Sequence, residues 1–549
     1  ALPIYVRLLR QQDDHLLLET PLVAAGCVPG WQGRHYWRAD FSAFTEPGHY
    51  RLEAVVTTEA QERLVRSTPF AIDRGLLARR CLSDVIHYFK GQRASGTFDR
   101  ADRRARLFGT DQRRDVHGGW FDASGDMSKY LSHLSYANYL NPQQTPMVVW
   151  SLLKCRELLA TRRDIDGMNL CKRLNDEGLH GADFLCRMQD ESGFFYMTLF
   201  DKWSKDPEQR ELCAYSTQQG IKSAHWQAGF RQGGGMAIAA LARAAREPSG
   251  GDLDTSQYAD AARRGYLHLR EHNLAYLDDG VENIIDDYCA LLAAVELTRT
   301  LGAEWLAEAR DRAGRLCARQ RAHPDLGHHW AANDDGSRPY YHAAEAGLPV
   351  LALLEYLAIE PDPARQWAAR TVAEQALAAE LALAARAGNP FALARQYVKG
   401  VDEAPRVSFF MPHHNESGYW WQGENARLAS LATMAFAAAQ HLPGQSALLR
   451  TFGQQQLDWI LGKNPFNACM LAGQGINNPE YTAGYPNAQG GICNGITAGF
   501  NDENDVAFIP EAYKDRLDQN WRWGEQWIPH AAWFALAITW QSAQGGHHD

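Results

Sequence analysis

The chain is predicted to be mainly α-helical: an (α/α)6 barrel preceded by a small antiparallel β module. Three observations carry that expectation. Apolar residues recur with a helical period from Leu76 onward, and the helices they mark alternate between two kinds. Residues 1–73 instead show two-residue alternation interrupted by turn signals.

In the first region, short alternating runs fall at Tyr5–Leu9, His35–Arg38 and His49–Val56. Pro29-Gly30 and Pro47-Gly48 punctuate them, because proline presets the first turn angle and glycine tolerates the next. The stretch YWRADFSAFTEPGHYRLEA reads as strand, loop, turn and strand, without a dense set of acids, bases or nucleophiles. Its expected role is packing, with residues 74–549 forming the second unit.

In that second unit, one kind of helix has a charged face, near 77–91, 168–188, 257–271, 304–321, 362–387 and 446–462. The other is rich in Ala, Leu and Val on every side, near 143–159, 230–246, 284–300, 342–358, 421–441 and 526–542. Helices apolar all round belong inside and those with a charged face outside, so the alternation implies two concentric rings. Each inner helix follows a loop dense in polar and aromatic residues, such as GGWFDASGDMSKY, SAHWQAGF, VENIIDDY, SRPYYHAAE, MPHHNESGYWWQGEN and WRWGEQWIPH. In such a ring those loops converge on one rim and line one cleft.

Composition narrows the function classes. The net charge of -10, from 55 basic and 65 acidic residues, gives no reason to expect nucleic acid, and no basic run or long apolar stretch suggests a membrane. Ten cysteines form no CxxC pair and sit mostly in apolar helical runs. Free thiols point to a reducing compartment, hence the cytoplasm. Cys155, Cys171 and Cys186, with His180 between, leave a structural zinc open. No phosphate loop, dinucleotide fingerprint or serine elbow occurs, so no cofactor is expected. Aromatic residues make up 11% of the chain and cluster with carboxylates and histidines in glycine-rich loops. Flat apolar rings beside polar groups suit sugars. The expected partner is therefore a small oligosaccharide; oligomeric state is not legible.

Asp122 and Asp126 flank a short turn, Asp122-Ala-Ser-Gly-Asp126, where both carboxylates can address one water, or alternatively a calcium ion. Glu525 lies in Trp-Arg-Trp-Gly-Glu-Gln-Trp, where desolvation would raise its pKa as a general acid needs. A first-turn helix position would instead lower it. One acid and one separately held base match glycoside hydrolysis, with the inverting separation of roughly 6.5–9.5 Å expected. His413, Glu416, Trp420 and Glu424 form another dense patch, expected to bind sugar; His225, Trp226 and Tyr341 are expected on the cleft wall. The His413-His414 pair lacks metal spacing, so no metal is expected there.

With these motifs in order, the sequence resembles glycoside hydrolase family 9. GGWFDASGD is similar to that family's GGWYDAGD-like loop, WILGKNPF to its ILG-x-NP segment and GFNDENDVAF to its PDEND loop. YWRADFSAFTEPGHYRLEA looks like the immunoglobulin-like module preceding many of its barrels. The resemblance implies Asp126 as base, Asp122 as its partner, Glu525 as acid, and inversion. Two departures bear on substrate. The aspartates stand four apart rather than three, and GQGINNPEYTAGYPNAQGG replaces the His-x-Arg expected after ILG-x-NP. DASGDMSKY and GYWWQGENARLAS look most like a bacterial branch of exo-β-D-glucosaminidases acting on chitosan oligosaccharides. A glucosamine ammonium calls for an extra carboxylate, and Glu416, Glu424, Asp502 and Glu503 are nearby in sequence. Cellodextrinase, β-glucosidase or endoglucanase action, a catalytically silent sugar-binding protein, and an isomerase on the same barrel are the alternatives.

Overall fold

The computed structural model describes residues 5–31, 33–57, 62–162, 164–386, 388–419 and 421–543. Trp420 lies outside them. The first strands are β1 (Tyr5–Arg10), β2 (Leu16–Pro21), β3 (Val23–Cys27), β4 (His35–Arg38), β5 (Gly48–Thr57), β6 (Glu62–Arg66) and β7 (Phe70–Ile72). They form a sheet in the order β2-β1-β5-β6, with β7 also on β5, and a β3–β4 hairpin. In β1 the buried Val6 and Leu8 alternate with exposed Tyr5 and Arg7, the pattern of a strand with one covered face. Trp31 anchors this region to the barrel. It is 1% exposed and packs on Phe391, Phe409 and Trp459, with ring centroids 5.0–6.1 Å away.

The barrel alternates outer and inner helices: α1 (Leu76–Gln92), α2 (Thr145–Leu159), α3 (Ile165–Arg187), α4 (Gly235–Ala244), α5 (Thr255–Tyr276) and α6 (Ile284–Leu301). It continues with α7 (Leu306–Ala318), α8 (Leu348–Leu357), α9 (Pro363–Ala384), α10 (Asn425–His441), α11 (Ser446–Ile460) and α12 (Ile528–Ala543). The even-numbered helices pack in sequence and α12 returns to α2, closing the inner ring; each inner helix is backed by an outer one. Residues 284–297 of α6 are all buried, whereas α3 buries one side only, as the two composition classes require.

Three inner helices start later than periodicity implies, and polar groups explain two of them. The His342 ring accepts the Ala344 and Glu345 amides, turning the chain before α8. The Glu424 carboxylate accepts the Met411 amide and the Gln396 side chain, holding the loop ahead of α10. Before α4, Gly233 adopts φ +98° within a wide turn. Periodicity also missed a small sheet on the barrel rim, in which strand Lys129–Tyr130 pairs with Thr198–Phe200 and that strand with Glu211–Ser216. Segments of two or three residues carry no readable period.

At the C-terminal halves of the inner helices, away from the loops that precede them, charge is buried. Glu296 is fully buried and accepts from Trp150 at 2.8 Å, from Arg243 at 2.6 and 2.9 Å and from Arg246 at 2.6 Å, tying α2, α4 and α6 together. Glu355 of α8 joins through Lys154 at 3.0 Å and Arg299 at 2.5 Å. These arginines hold the Glu296 carboxyl down at about 2 despite its burial. Removing one partner strands the others in a dry interior. Glu296→Ala is expected to destabilise by about 3–5 kcal/mol, against at most about 1 kcal/mol for Glu19→Ala in the exposed Arg7–Glu19 pair, both read by urea unfolding.

Candidate active site

The GGWFDASGD loop approaches its neighbours closely. Gly118 and Gly119 have φ of +84° and +71°, and a Cβ on Gly119 would lie 2.8 Å from the Phe184 ring. The following segment is clasped by the start of α12. Ala123 bridges to Trp527, the Ser124 amide donates to the Gln526 carbonyl at 2.9 Å, and the Ile528 amide donates to the Asp122 carbonyl at 3.1 Å. Ring closure thus brings Asp122, Asp126 and Glu525 to one cavity of about 570 Å3, within the range of small-molecule sites.

The three carboxyl groups have different surroundings. Asp122 accepts from Gln144 at 2.5 Å, Trp527 at 2.9 Å and His133 at 3.0 Å. Those donors hold its orientation and suit an ionised group. Asp126 accepts from Tyr130 at 2.7 Å and Trp203 at 3.1 Å on one oxygen, and from the Ser128 amide at 2.9 Å on the other. Burial first, then the charges of Asp122 and Asp201, raise its pKa to about 6. Glu525 accepts the Gly125 amide at 3.1 Å, yet burial within the cavity wall and the two aspartates push its carboxyl well above the ordinary range. Both groups therefore keep a proton to higher pH than a free carboxyl does. For Glu525 burial is the largest cause, the desolvation expected from the motif, and Trp521 and Trp527 line the same cavity. Trp527 is spent on Asp122, and Trp523 is buried with its ring N–H on Thr497 at 2.8 Å.

Asp122, Asp126 and His133 also offer ligand atoms within 4.8 Å of one another, a spacing suited to a metal. Their lone pairs already serve protein donors, and the second His133 nitrogen pairs with the Tyr215 hydroxyl at 2.5 Å. Tyr215, His133 and Asp122 thus form one hydrogen-bonded chain, while Asp126 is held separately by Tyr130, Trp203 and the Ser128 amide. The zinc left open at Cys155, Cys171, Cys186 and His180 is not assembled: among the described residues no metal-capable group includes them, and His180 meets the Trp120 ring edge-on.

Apart from Trp420, which lies outside the described residues, the residues expected to bind sugar are not among those lining the cavity, and most are engaged elsewhere. Glu416 pairs with Arg338, with a second contact at 3.0 Å. Glu424 is 3% exposed and pairs with Arg427 at 2.5 Å. The His413 ring lies on Trp421 at 4.2 Å, Tyr341 donates to the Lys399 carbonyl at 2.8 Å, His225 is exposed, and Trp226 is half-buried with its carbonyl on the Met197 amide. Buried or half-buried arginines capture these carboxylates because leaving either charge unpaired would be costly. From the same polar patch, Tyr419 and Gln422 reach the cavity instead.

Residues 79–483 match the profile of glycosyl hydrolase family 9, nearly three quarters of the sequence. The chain belongs to glycosyl hydrolase family 9. It is thus a glycoside hydrolase, cleaving O-glycosidic bonds. The matched residues include the Asp122–Asp126 loop and stop before Glu525, so the acid candidate stands on the cavity geometry. Family 9 folds surround it. A metagenome-derived family 9 endoglucanase shares 19% identity at TM-score 0.65, over 98% of this chain and 93% of that one. A family 9 protein of Bacteroides ovatus shares 16% at 0.65, over 99% and 95%. AaCel9A in complex with cellobiose-like isofagomine shares 18% at 0.63, over 98% and 95%. No curated protein matches the chain.

Beyond the expected residues, this family 9 cavity is lined by His133, Trp203, Lys205, Tyr215, Tyr481 and Trp527, among others. Trp527 and Tyr481 lie within motifs already visible, WGEQW and GINNPEYTAGYP; Trp203 carries no local signal. Gly125 is a further requirement. A Cβ there would meet the Glu525 carboxyl at 2.6 Å and the Tyr481 ring at 2.8 Å. Gly125→Ala is expected to lower kcat by about 100-fold, the scale of a 1 Å misplacement, with little change in thermal unfolding. The rate of hydrolysis should fall below pH of about 6, where Asp126 takes up its proton, and fall again at higher pH as Glu525 loses its own. Tyr130→Phe removes a donor that favours ionised Asp126, so the acidic limb of kcat/KM against pH should move upward.

Proposed function

We propose that this family 9 hydrolase is an inverting exo-β-D-glucosaminidase, releasing glucosamine from the non-reducing end of chitosan oligosaccharides. The observation that carries the hydrolytic reading is one cavity lined by two carboxyl groups with opposite protonation demands, Asp126 and Glu525. Glu525 protonates the leaving oxygen. Asp126 takes the proton of a water attacking the anomeric carbon from the opposite face, with Asp122 and its three donors holding that side of the site rigid. Inversion follows from attack opposite the departing group.

The choice of an amino sugar rests on charge. Among the described residues, the cavity is lined by Asp122, Asp126, Asp518 and Glu525, against one lysine and no arginine. An ammonium gains from such a wall, and a neutral hydroxyl gains far less. Glu416, Glu424 and Glu503 are each taken by an arginine and Asp502 is not among the lining residues, which leaves Asp518, held by exposed Arg516 and by Gln519 at 3.2 Å, as the carboxylate offered to the amine. A second reading, hydrolysis of β-1,4-glucan, is favoured by the endoglucanase and the cellobiose-like isofagomine complex among the similar folds.

Nitrophenyl β-glucosaminide, its N-acetyl form and β-glucoside separate the two readings. The free glucosaminide is expected to be cleaved fastest; a clear preference for the glucoside hands the assignment to the glucan. Glu525→Gln should lose about 100- to 10,000-fold in kcat while sugar affinity, followed by calorimetry, stays close to wild type. Product anomers followed by NMR should begin as α. Initial β product means retention and defeats the assigned roles.

A further inference from the structure

The loop after strand Thr198–Phe200 is backbone-strained. Lys202, Trp203 and Lys205 take φ of +61°, +56° and +59°, a left-handed region that non-glycine residues rarely enter. One carboxylate holds the loop there: Asp201 accepts the Trp203 amide at 2.9 Å, the Lys205 amide at 3.1 Å and the Ser128 hydroxyl at 3.0 Å. Strain of this kind persists where its surroundings over-determine it, and it concentrates at functional sites. Trp203 uses the position to reach Asp126. Lys205 has a different destination.

The Lys205 ammonium sits 3.4 Å from the centroid of the Tyr485 ring. Among the described residues no carboxylate lies within ion-pair distance of Lys205, so the ring is the partner it has. Tyr485 belongs to the segment standing where the family's arginine motif was expected. There Tyr481 and Tyr485 flank a tight turn, closed by the Tyr485 amide on the Thr482 carbonyl at 3.1 Å. The segment is fixed to the acid side of the site, since Asn487 donates to the Gly524 carbonyl at 2.9 Å and the Ala488 amide to the Gln526 side chain at 2.8 Å. The lysine thus comes from the wall that holds the base, and the tyrosine from the wall that holds the acid. Lys205 and Tyr481 both line the cavity, and both feel the Glu525 charge.

We propose that the Lys205–Tyr485 contact is a clamp that closes one end of the cavity and so sets where along a sugar chain the bond is cut. The proposal rests on the hydrolytic reading above and gives it a physical stop. A chain end fits against a closed wall, whereas a chain running through would have to part the ammonium from the ring. The same clamp serves either sugar.

The test follows primary products from glucosamine tetrasaccharide and cellotetraose labelled at the reducing end. Wild type should yield labelled trisaccharide first. Tyr485→Ala should raise the share of labelled disaccharide among first products by roughly threefold or more, the weight of a lost cation–π contact. Tyr485→Phe, which keeps the ring, should retain the wild-type pattern. Lys205→Met keeps the stem without the charge and should shift products as Tyr485→Ala does, which covers the case of a misfolded alanine variant. Nitrophenyl monoglycoside hydrolysis should stay within about twofold in both Tyr485 variants, since neither touches the reacting groups. An unchanged product pattern in folded Tyr485→Ala and Lys205→Met overturns the clamp, as does wild type that forms disaccharide from the outset. Absence of any hydrolysis by wild type overturns the proposed function and the clamp together.

Discussion

Main-chain groups of Asp122–Ser124 and Gln526–Ile528, about 400 residues apart in sequence, hydrogen-bond across the seam where α12 meets α2. Everything catalytic hangs from that seam. Because the inner ring is closed, the loop before its first helix and the loop before its last are spatial neighbours, and the clasp sets their register to single residues. Gly125 shows how tight the fit is. Its amide hydrogen-bonds the Glu525 carboxyl, and its missing side chain leaves room for that carboxyl and for Tyr481. A barrel open at this seam would keep all three acids and lose their relationship.

The chemistry then comes from dividing one acidic cavity into unequal environments. Asp122 is saturated by donors from three different segments. Asp126 is buried beside it, and repulsion lifts its proton affinity while Tyr130, Trp203 and the Ser128 amide limit the rise. Glu525 faces two carboxylates with one backbone amide to offset them. The roles proposed above follow this order, since Glu525 has the fewest donors to offset its neighbours' charge. Burial of the Asp201 carboxylate adds a further term to the same field, and it fastens the strained loop that carries Trp203 to the base.

Much of the fold was legible because its signals are long. Twelve helices of ten residues or more, apolar all round or on one face, read directly as two rings, and the strands at His35–Arg38 and Gly48–Thr57 fall where turn pairs bracket them. The three carboxylates were legible because each sits in a short motif dense in glycine and tryptophan. The rest of the cavity was not. His413, Glu416 and Glu424 look like sugar ligands in a linear reading, since sequence shows neither that Arg338 arrives from another part of the ring to take Glu416 nor that Arg427, three residues on, turns back onto Glu424. Trp203 was invisible for the converse reason. It reaches Asp126 through a three-residue strand and a left-handed loop, neither of which has a period or a composition to detect.

The seam also has a temporal side. A ribosome makes Asp126 long before Glu525, and at about 5–20 residues per second the interval is roughly 20–80 s. During it, the emerging chain holds Asp122 and Asp126 without a partner edge at Ala123 and Ser124, and without Gln526 and Trp527 to fasten them. Catalytic competence thus arrives as a late docking event of the final inner helix, and a polypeptide arrested short of that helix is hydrolytically silent however well its earlier helices have packed.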